Sequence, residues 1–316
     1  MNVVTGAFGY IGRYITQHLL DLGEPVRTIT THPDKPNPFA AAAGGDSAGG
    51  ASVEAFPYSF DQPNRLVASL GGAETLYNTY WIRFPYQGAT FEGAVENTRI
   101  LFEAARQAGV RKIIHISVTH ASLDSNLPYY RGKALQEQLL EGLGVPCRIV
   151  RPTLVYGRED ILVNNIAWLV RNFPAFPIFG NGTYRLQPIF VDDLAHIAVE
   201  CAQGSGNTVL DAIGPDGYTF EEFVRLIAAR LKPSLRLVHI PPALGIAAGT
   251  IIGWAFGDVL LTRAELDGLI QEMLTSDQIP IGITSFSDWL DTNQKQLGRT
   301  YTSEIGRHFK WRKSDQ

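Results

Sequence analysis

This chain of 316 residues has little cysteine, only a small excess of acid over base and no pattern of metal ligands. Cys147 and Cys201 are its only cysteines, which excludes a disulfide framework and a cysteine-ligated metal. Its seven histidines, His18, His32, His115, His120, His196, His239 and His308, are scattered without ligand spacing, so no metal is expected. With 27 basic and 31 acidic residues, nothing in the charge calls for nucleic acid or an anionic membrane surface as partner. The first residues lack the basic, apolar, small-residue order of a secretory signal, and a reducing cytoplasm is the expected location. Long uncharged runs are absent with one exception, Leu237 to Gly257 (LVHIPPALGIAAGTIIGWAFG). Pro241 and Pro242 interrupt it and leave 243–256, the length of a buried helix. A packed helix is the favoured reading there, and a membrane- or partner-docking helix is the other.

What is present is an alternation of short apolar runs with helical patterns. Strands are expected at Asn2 to Thr5, Pro25 to Thr30, Val53 to Phe60, Glu74 to Tyr80, Lys112 to Val118 and Cys147 to Val150. Helices are expected at Tyr10 to Leu22, Phe91 to Ala108 and Tyr129 to Leu143. Strands separated by helices imply parallel pairing and right-handed crossovers, hence an α/β fold built on a doubly wound parallel sheet. Ala40 to Ser52 (AAAAGGDSAGGAS) is low in complexity and reads as a surface loop. Beyond Pro152 the alternation loosens. Residues 1–153 are expected to form the sheet domain, rejoined by about 192–213. Residues 154–191 and 214–316 are expected to form a smaller, mostly helical lobe that binds substrate.

Between the first strand and the first helix lies TGAFGYIG, Thr5 to Gly12. A glycine loop at this junction is where a parallel sheet binds a dinucleotide. Gly6 permits the tight turn, Gly9 lets a pyrophosphate approach the backbone, and Gly12 lets helix and strand pack closely. Phe8, Tyr10 and Ile11 complete the loop, and the free N–H groups at the helix start face the anion. No acid stands at the end of the second strand, where Thr30, Thr31 and His32 occur, and Asp34 comes only later. Arg13, just after the last glycine, suits a 2′-phosphate. NADP(H) is therefore favoured, with NAD(H) as the alternative.

These residues resemble a known family. TGAFGYIGRYI, ISVT and YYRGK are similar to the short-chain dehydrogenase/reductase superfamily, in its extended or atypical, NAD-dependent epimerase/dehydratase-like branch. YNTYWIRF, NNIAWLVRNFP and PIFVDDLA resemble, more narrowly, NAD(P)H-binding proteins related to the NADPH-binding accessory subunit of respiratory complex I. Tyr129 and Lys133 stand four apart and so share one helix face. The resemblance implies that Tyr129 is a general acid or base and that Lys133 lowers its pKa and holds the nicotinamide ribose. It also implies that Thr119 or Ser117 orients the substrate oxygen and that Asp61 meets the adenine. Two departures stand out: the loop from Thr119 to Tyr129 is short, and Ala94 occupies the usual place of an asparagine, with Asn97 one turn on. Tyr80 and Trp81, after the fourth strand, and Asn164, Asn165 and Trp168, on a later helix, are expected to line the pocket for a small-molecule substrate. The function expected is hydride transfer between a nicotinamide and a carbonyl or carbinol. The alternatives are a non-catalytic NADPH-binding accessory or regulatory protein, and a sugar-nucleotide epimerase or dehydratase.

Overall fold

Six of the expected strands form most of one sheet in the computed structural model, which describes residues 1–40, 53–246, 257–259 and 261–308. They are β1 (Asn2–Thr5), β2 (Val26–Thr30), β3 (Glu54–Pro57), β4 (Thr75–Asn78), β5 (Lys112–Ile116) and β6 (Cys147–Pro152). All four residues of β1 and of β4 are buried, as strands covered on both faces must be. The intervening helices are α1 (Tyr10–Asp21), α2 (Pro63–Leu70), α3 (Phe91–Gln107) and α4 (Pro128–Glu141). Of these, α2 was not expected from the sequence. Pro63 opens α2 and Pro128 opens α4, each where a missing N–H does no harm. Thr90 caps α3 by accepting from the Gly93 amide at 3.0 Å.

After β6 the chain leaves this sheet through β7 (Val155–Tyr156), α5 (Ile161–Asn172), β8 (Ala175–Phe179), β9 (Arg185–Leu186) and β10 (Ile189–Phe190). It then returns with α6 (Val191–Cys201) and β11 (Thr208–Ala212). The completed sheet has the order β11-β6-β5-β4-β1-β2-β3, parallel throughout. Strand order reverses between β1 and β4, the switch point at which open α/β sheets bind ligands. Helices α1 and α6 pack together, and α2, α3 and α4 form a second group. The second group covers a core of Ile29, Leu66, Leu76, Leu101, Phe102 and Ile113.

By its contacts the chain divides into two units, Met1–Pro152 with Val191–Ala212, and Thr153–Phe190 with Ile213–Gln316. The second unit adds β12 (Tyr218–Thr219), α7 (Phe220–Leu231), β13 (Arg236–Ile240), α8 (Arg263–Ile270), α9 (Phe286–Asn293) and α10 (Glu304–His308). Its core is aromatic: Phe286 stacks on Phe223 at 4.5 Å and meets Tyr156 edge-on at 4.9 Å. Capping boxes of Thr219 with Glu222 and of Thr262 with Glu265 start α7 and α8. The uncharged run beginning at Leu237 opens in β13, which pairs in parallel with β8. The helix expected over 243–256 falls mostly outside the described residues, as does most of the low-complexity stretch Ala40 to Ser52. Among the described residues no helix is long and apolar enough to cross a membrane.

Candidate functional site: the carboxyl edge of the parallel sheet

The glycine loop has the geometry that its spacing asks for. Gly6 adopts φ +65°, and its carbonyl accepts from the Gly9 amide at 2.8 Å, closing a tight turn. A Cβ on Gly12 would lie 2.4 Å from the Gly6 carbonyl oxygen, so only glycine lets α1 approach β1 this closely. Gly9 is the residue before α1; no side chain caps the helix, and no acid stands in its first turn. The start of a helix on a glycine turn is where an anion docks, and this turn fits a pyrophosphate. Phe8 is buried beside the loop, while Tyr10, Ile11 and Arg13 are half-buried on the first turn of α1. Thr31 is exposed just beyond β2, and Asp34 is exposed three residues on. Asp61 is exposed beyond β3 and accepts from the Gln62 amide at 3.3 Å.

A buried polar network ties the end of β4 to the ends of β1 and β5. Thr79 donates its hydroxyl to the Thr5 carbonyl at 2.6 Å and its amide to the Thr5 hydroxyl at 2.7 Å. Asn78 Oδ1 accepts from Thr5 Oγ1 at 3.2 Å and from the Tyr80 backbone amide at 3.1 Å. Asn78 Nδ2 lies 3.0 Å from His115 Nδ1. Burial, reinforced by the charge of Lys133, holds the His115 pKa well below the usual histidine range, so this imidazole is neutral. The network aims Tyr80 and Trp81 from the sheet edge. Tyr80 packs against Tyr58 and Phe60, and its hydroxyl accepts from Asn97 Nδ2 at 2.9 Å. Asn97, one turn beyond the position expected of an asparagine, thus serves an aromatic cluster.

Tyr129 and Lys133 sit on the first two turns of α4. The Tyr129 ring meets Trp81 at 5.9 Å, Phe91 at 6.1 Å and Tyr130 at 5.4 Å, all edge-on. Lys133 is 3 % exposed; its ammonium donates to the Ile116 carbonyl at 2.9 Å and lies 5.0 Å from the centre of the Trp81 ring. Burial pushes its pKa down to about 7, against the opposing pull of Glu137. Glu137, one turn further along α4, is itself paired with Arg151 and accepts from the Ser117 hydroxyl. Ser117 is thereby committed to a buried carboxylate. Thr119, fully buried, continues the strand edge by donating its amide to Pro152 at 3.0 Å. Sequence reasoning missed Glu137, although its place four residues past Lys133 was a signal. It also missed Asn78 and His115, which no local pattern marks.

In the second unit, Asn164, Asn165 and Trp168 lie on α5 and engage the segment 298–302. Asn164 donates to the Thr300 carbonyl at 2.9 Å and accepts from the Gly298 amide at 3.0 Å. Asn165 donates to the Thr302 carbonyl at 2.9 Å and accepts from the Thr302 amide at 3.0 Å. Trp168 meets Tyr301 edge-on at 5.4 Å. Among the described residues no group of histidines, cysteines and acids is arranged to hold a metal.

Comparison with known proteins adds to this geometry. The profile of the NAD dependent epimerase/dehydratase family matches residues 2–209. The mitochondrial NADH dehydrogenase (ubiquinone) 1 alpha subcomplex subunit 9 of Arabidopsis thaliana is 25 % identical over 245 residues, spanning 75 % of this chain but only 60 % of that protein. The subunit of the same name from Mus musculus is 25 % identical over 319 residues, covering 99 % of this chain and 82 % of its own. Among solved structures, the NADPH-dependent quinone oxidoreductase QOR2 of Escherichia coli, complexed with NADPH, superposes with a TM-score of 0.72. The two are 20 % identical, with 92 % of this chain and 99 % of that one covered, a likeness of fold.

Proposed function

Because the chain belongs to the NAD dependent epimerase/dehydratase family, we propose that it is an oxidoreductase that holds NADP(H) on the loop Gly6–Arg13 and acts on a carbonyl or carbinol of a small molecule. The observation that carries this reading is the glycine turn between β1 and α1, with a positive φ at Gly6 and no room for a Cβ at Gly12. Bound nicotinamide supplies or accepts the hydride. Tyr129, on the first turn of α4, moves the proton at the substrate oxygen, and the Lys133 ammonium one turn on favours its phenolate. The orienting hydroxyl comes from Thr119 or Ser117, of which Ser117 already donates to Glu137. Arg13 and the lack of an acid at Thr31 favour the 2′-phosphorylated cofactor over NAD(H).

A second reading is favoured by two observations. The relatives named as NADH dehydrogenase subunits match as much as 99 % of the chain, and the Lys133 ammonium is already held by Ile116 beneath the Trp81 ring. In that reading the chain binds NADPH without turnover, as an accessory part of a larger assembly. The experiment that separates the two is titration of the purified protein with NADPH, followed by single-turnover oxidation of the bound cofactor against a panel of aldehydes, ketones and quinones. Binding with turnover supports the first reading, and binding with no turnover on any carbonyl supports the second. Failure to bind either NADPH or NADH sinks both.

A further inference from the structure

Resting on the reading that Lys133 meets the ribose of a bound dinucleotide, we propose that Trp81 is a movable cap on that lysine, which must swing away before the cofactor's ribose can reach the ammonium. Three observations converge on it. The indole lies across the buried Lys133 ammonium, 5.0 Å from ring centre to nitrogen, and among the described residues that nitrogen donates to the Ile116 carbonyl alone. A ribose hydroxyl would have to come to the side that the indole covers. The indole is also pressed against the backbone of α4: a Cβ on Gly132 would lie 2.6 Å and 3.0 Å from two of its ring carbons. Only a glycine at 132 leaves room for the closed position.

The closed position is itself poorly satisfied. The Trp81 indole nitrogen is buried with no acceptor among the described residues, a desolvation penalty that outward movement relieves. The Lys133 ammonium is buried with one carbonyl and one ring face, where a diol would offer it stronger acceptors. What holds the cap shut is ring packing, with Phe91 stacked on Trp81 at 5.6 Å and Tyr129 edge-on at 5.9 Å. Trp81 follows β4 on a short irregular stretch, residues 79–82, which leaves its backbone free of the sheet ladder.

Gly132→Ala tests this without removing the indole, because the added methyl occupies the space that the closed ring needs. Alanine is a better helix former than glycine, so α4 is preserved, and circular dichroism checks it. If the open form is about 1–10 % populated in the unaltered protein, displacing the ring should raise the NADPH association rate about 10- to 100-fold in stopped flow. Trp81→Ala should do the same, and Trp81→Phe should restore slow association. A second measurement needs no cofactor: acetylation of Lys133 by acetic anhydride, followed by mass spectrometry of the peptide, should speed up in Gly132→Ala and Trp81→Ala. Equal acetylation rates in all the proteins overturn the cap. Faster acetylation in the variants with an unchanged NADPH association rate overturns its role in cofactor access. If the variants acetylate faster yet no protein binds NADPH, the cofactor reading is overturned, and with it the access role.

Discussion

Replacing Lys133 with methionine is expected to stabilise the protein at neutral pH, even though the lysine is the more useful residue. The ammonium is buried and its pKa falls from 10.5 to about 7, so the folded state binds this proton less tightly than the unfolded chain. Between those two values the unfolded state holds more protons, and stability rises with pH. Below pH 7 the full penalty is present. At pH 7 the linkage amounts to roughly 4 kcal/mol, and each further pH unit toward 10 relieves about 1.4 kcal/mol. Methionine keeps an unbranched stem and a polarisable tip beneath the Trp81 ring. It leaves the Ile116 carbonyl without its donor, which costs about 1–2 kcal/mol. Glu137 keeps Arg151 and is not orphaned. The net expectation is a gain of about 2–3 kcal/mol at pH 7 that shrinks to nothing near pH 9. Urea unfolding of both cofactor-free proteins at pH 6, 7, 8 and 9 measures it. A Lys133→Met protein less stable than its parent at pH 7, or a gap that does not change with pH, would refute the reasoning.

The other expectations concern the cofactor and the proton. Tyr129→Phe should leave NADPH affinity unchanged while lowering single-turnover hydride transfer by about 10²- to 10⁴-fold, whereas Tyr130→Phe, whose ring is buried, should keep the rate. Arg13→Ala should weaken NADPH by about 10- to 150-fold and spare NADH, as calorimetric titration of both would reveal. Gly12→Ala should lower the unfolding free energy by about 1–3 kcal/mol and abolish binding, since its methyl would lie 2.4 Å from the Gly6 carbonyl oxygen. A Gly12→Ala protein with normal stability and affinity would mean that the loop is not the anion site.

The parts of this site that the sequence revealed are those set by short-range geometry. Glycines at every third position announce a turn that closes on itself, and the structure meets that expectation with a positive φ at Gly6 and contact at Gly12. Tyr129 and Lys133 are paired by the helical repeat alone. The parallel sheet was legible because its strands are short apolar runs spaced by helices. What stayed hidden depends on residues far apart in the chain. Nothing near Trp81 says that its indole will cover Lys133, and nothing near Gly132 says why it is a glycine. The amides of Asn164 and Asn165, expected to face a substrate, hydrogen-bond to residues 298–302, more than a hundred positions later. The pairing of β8 with β13 was missed for the same reason, because an uncharged run gives no clue to its partner strand.

The excursion of the chain between β6 and β11 bears on how the protein is made. Until residue 212 has left the ribosome, β6 is an unpaired edge, presenting its free N–H and C=O groups to any other strand. Over the same interval α1 lacks α6, and the contact of His18 with Asp192 at 2.9 Å cannot form. The nascent sheet must therefore wait, incomplete on one edge and one face, while the first segment of the second unit, Thr153–Phe190, is synthesised. That places its greatest exposure to mispairing and aggregation in the middle of synthesis rather than at the end. A chain cut at Phe190 would carry the whole glycine loop and both Tyr129 and Lys133, yet remain in that vulnerable state permanently.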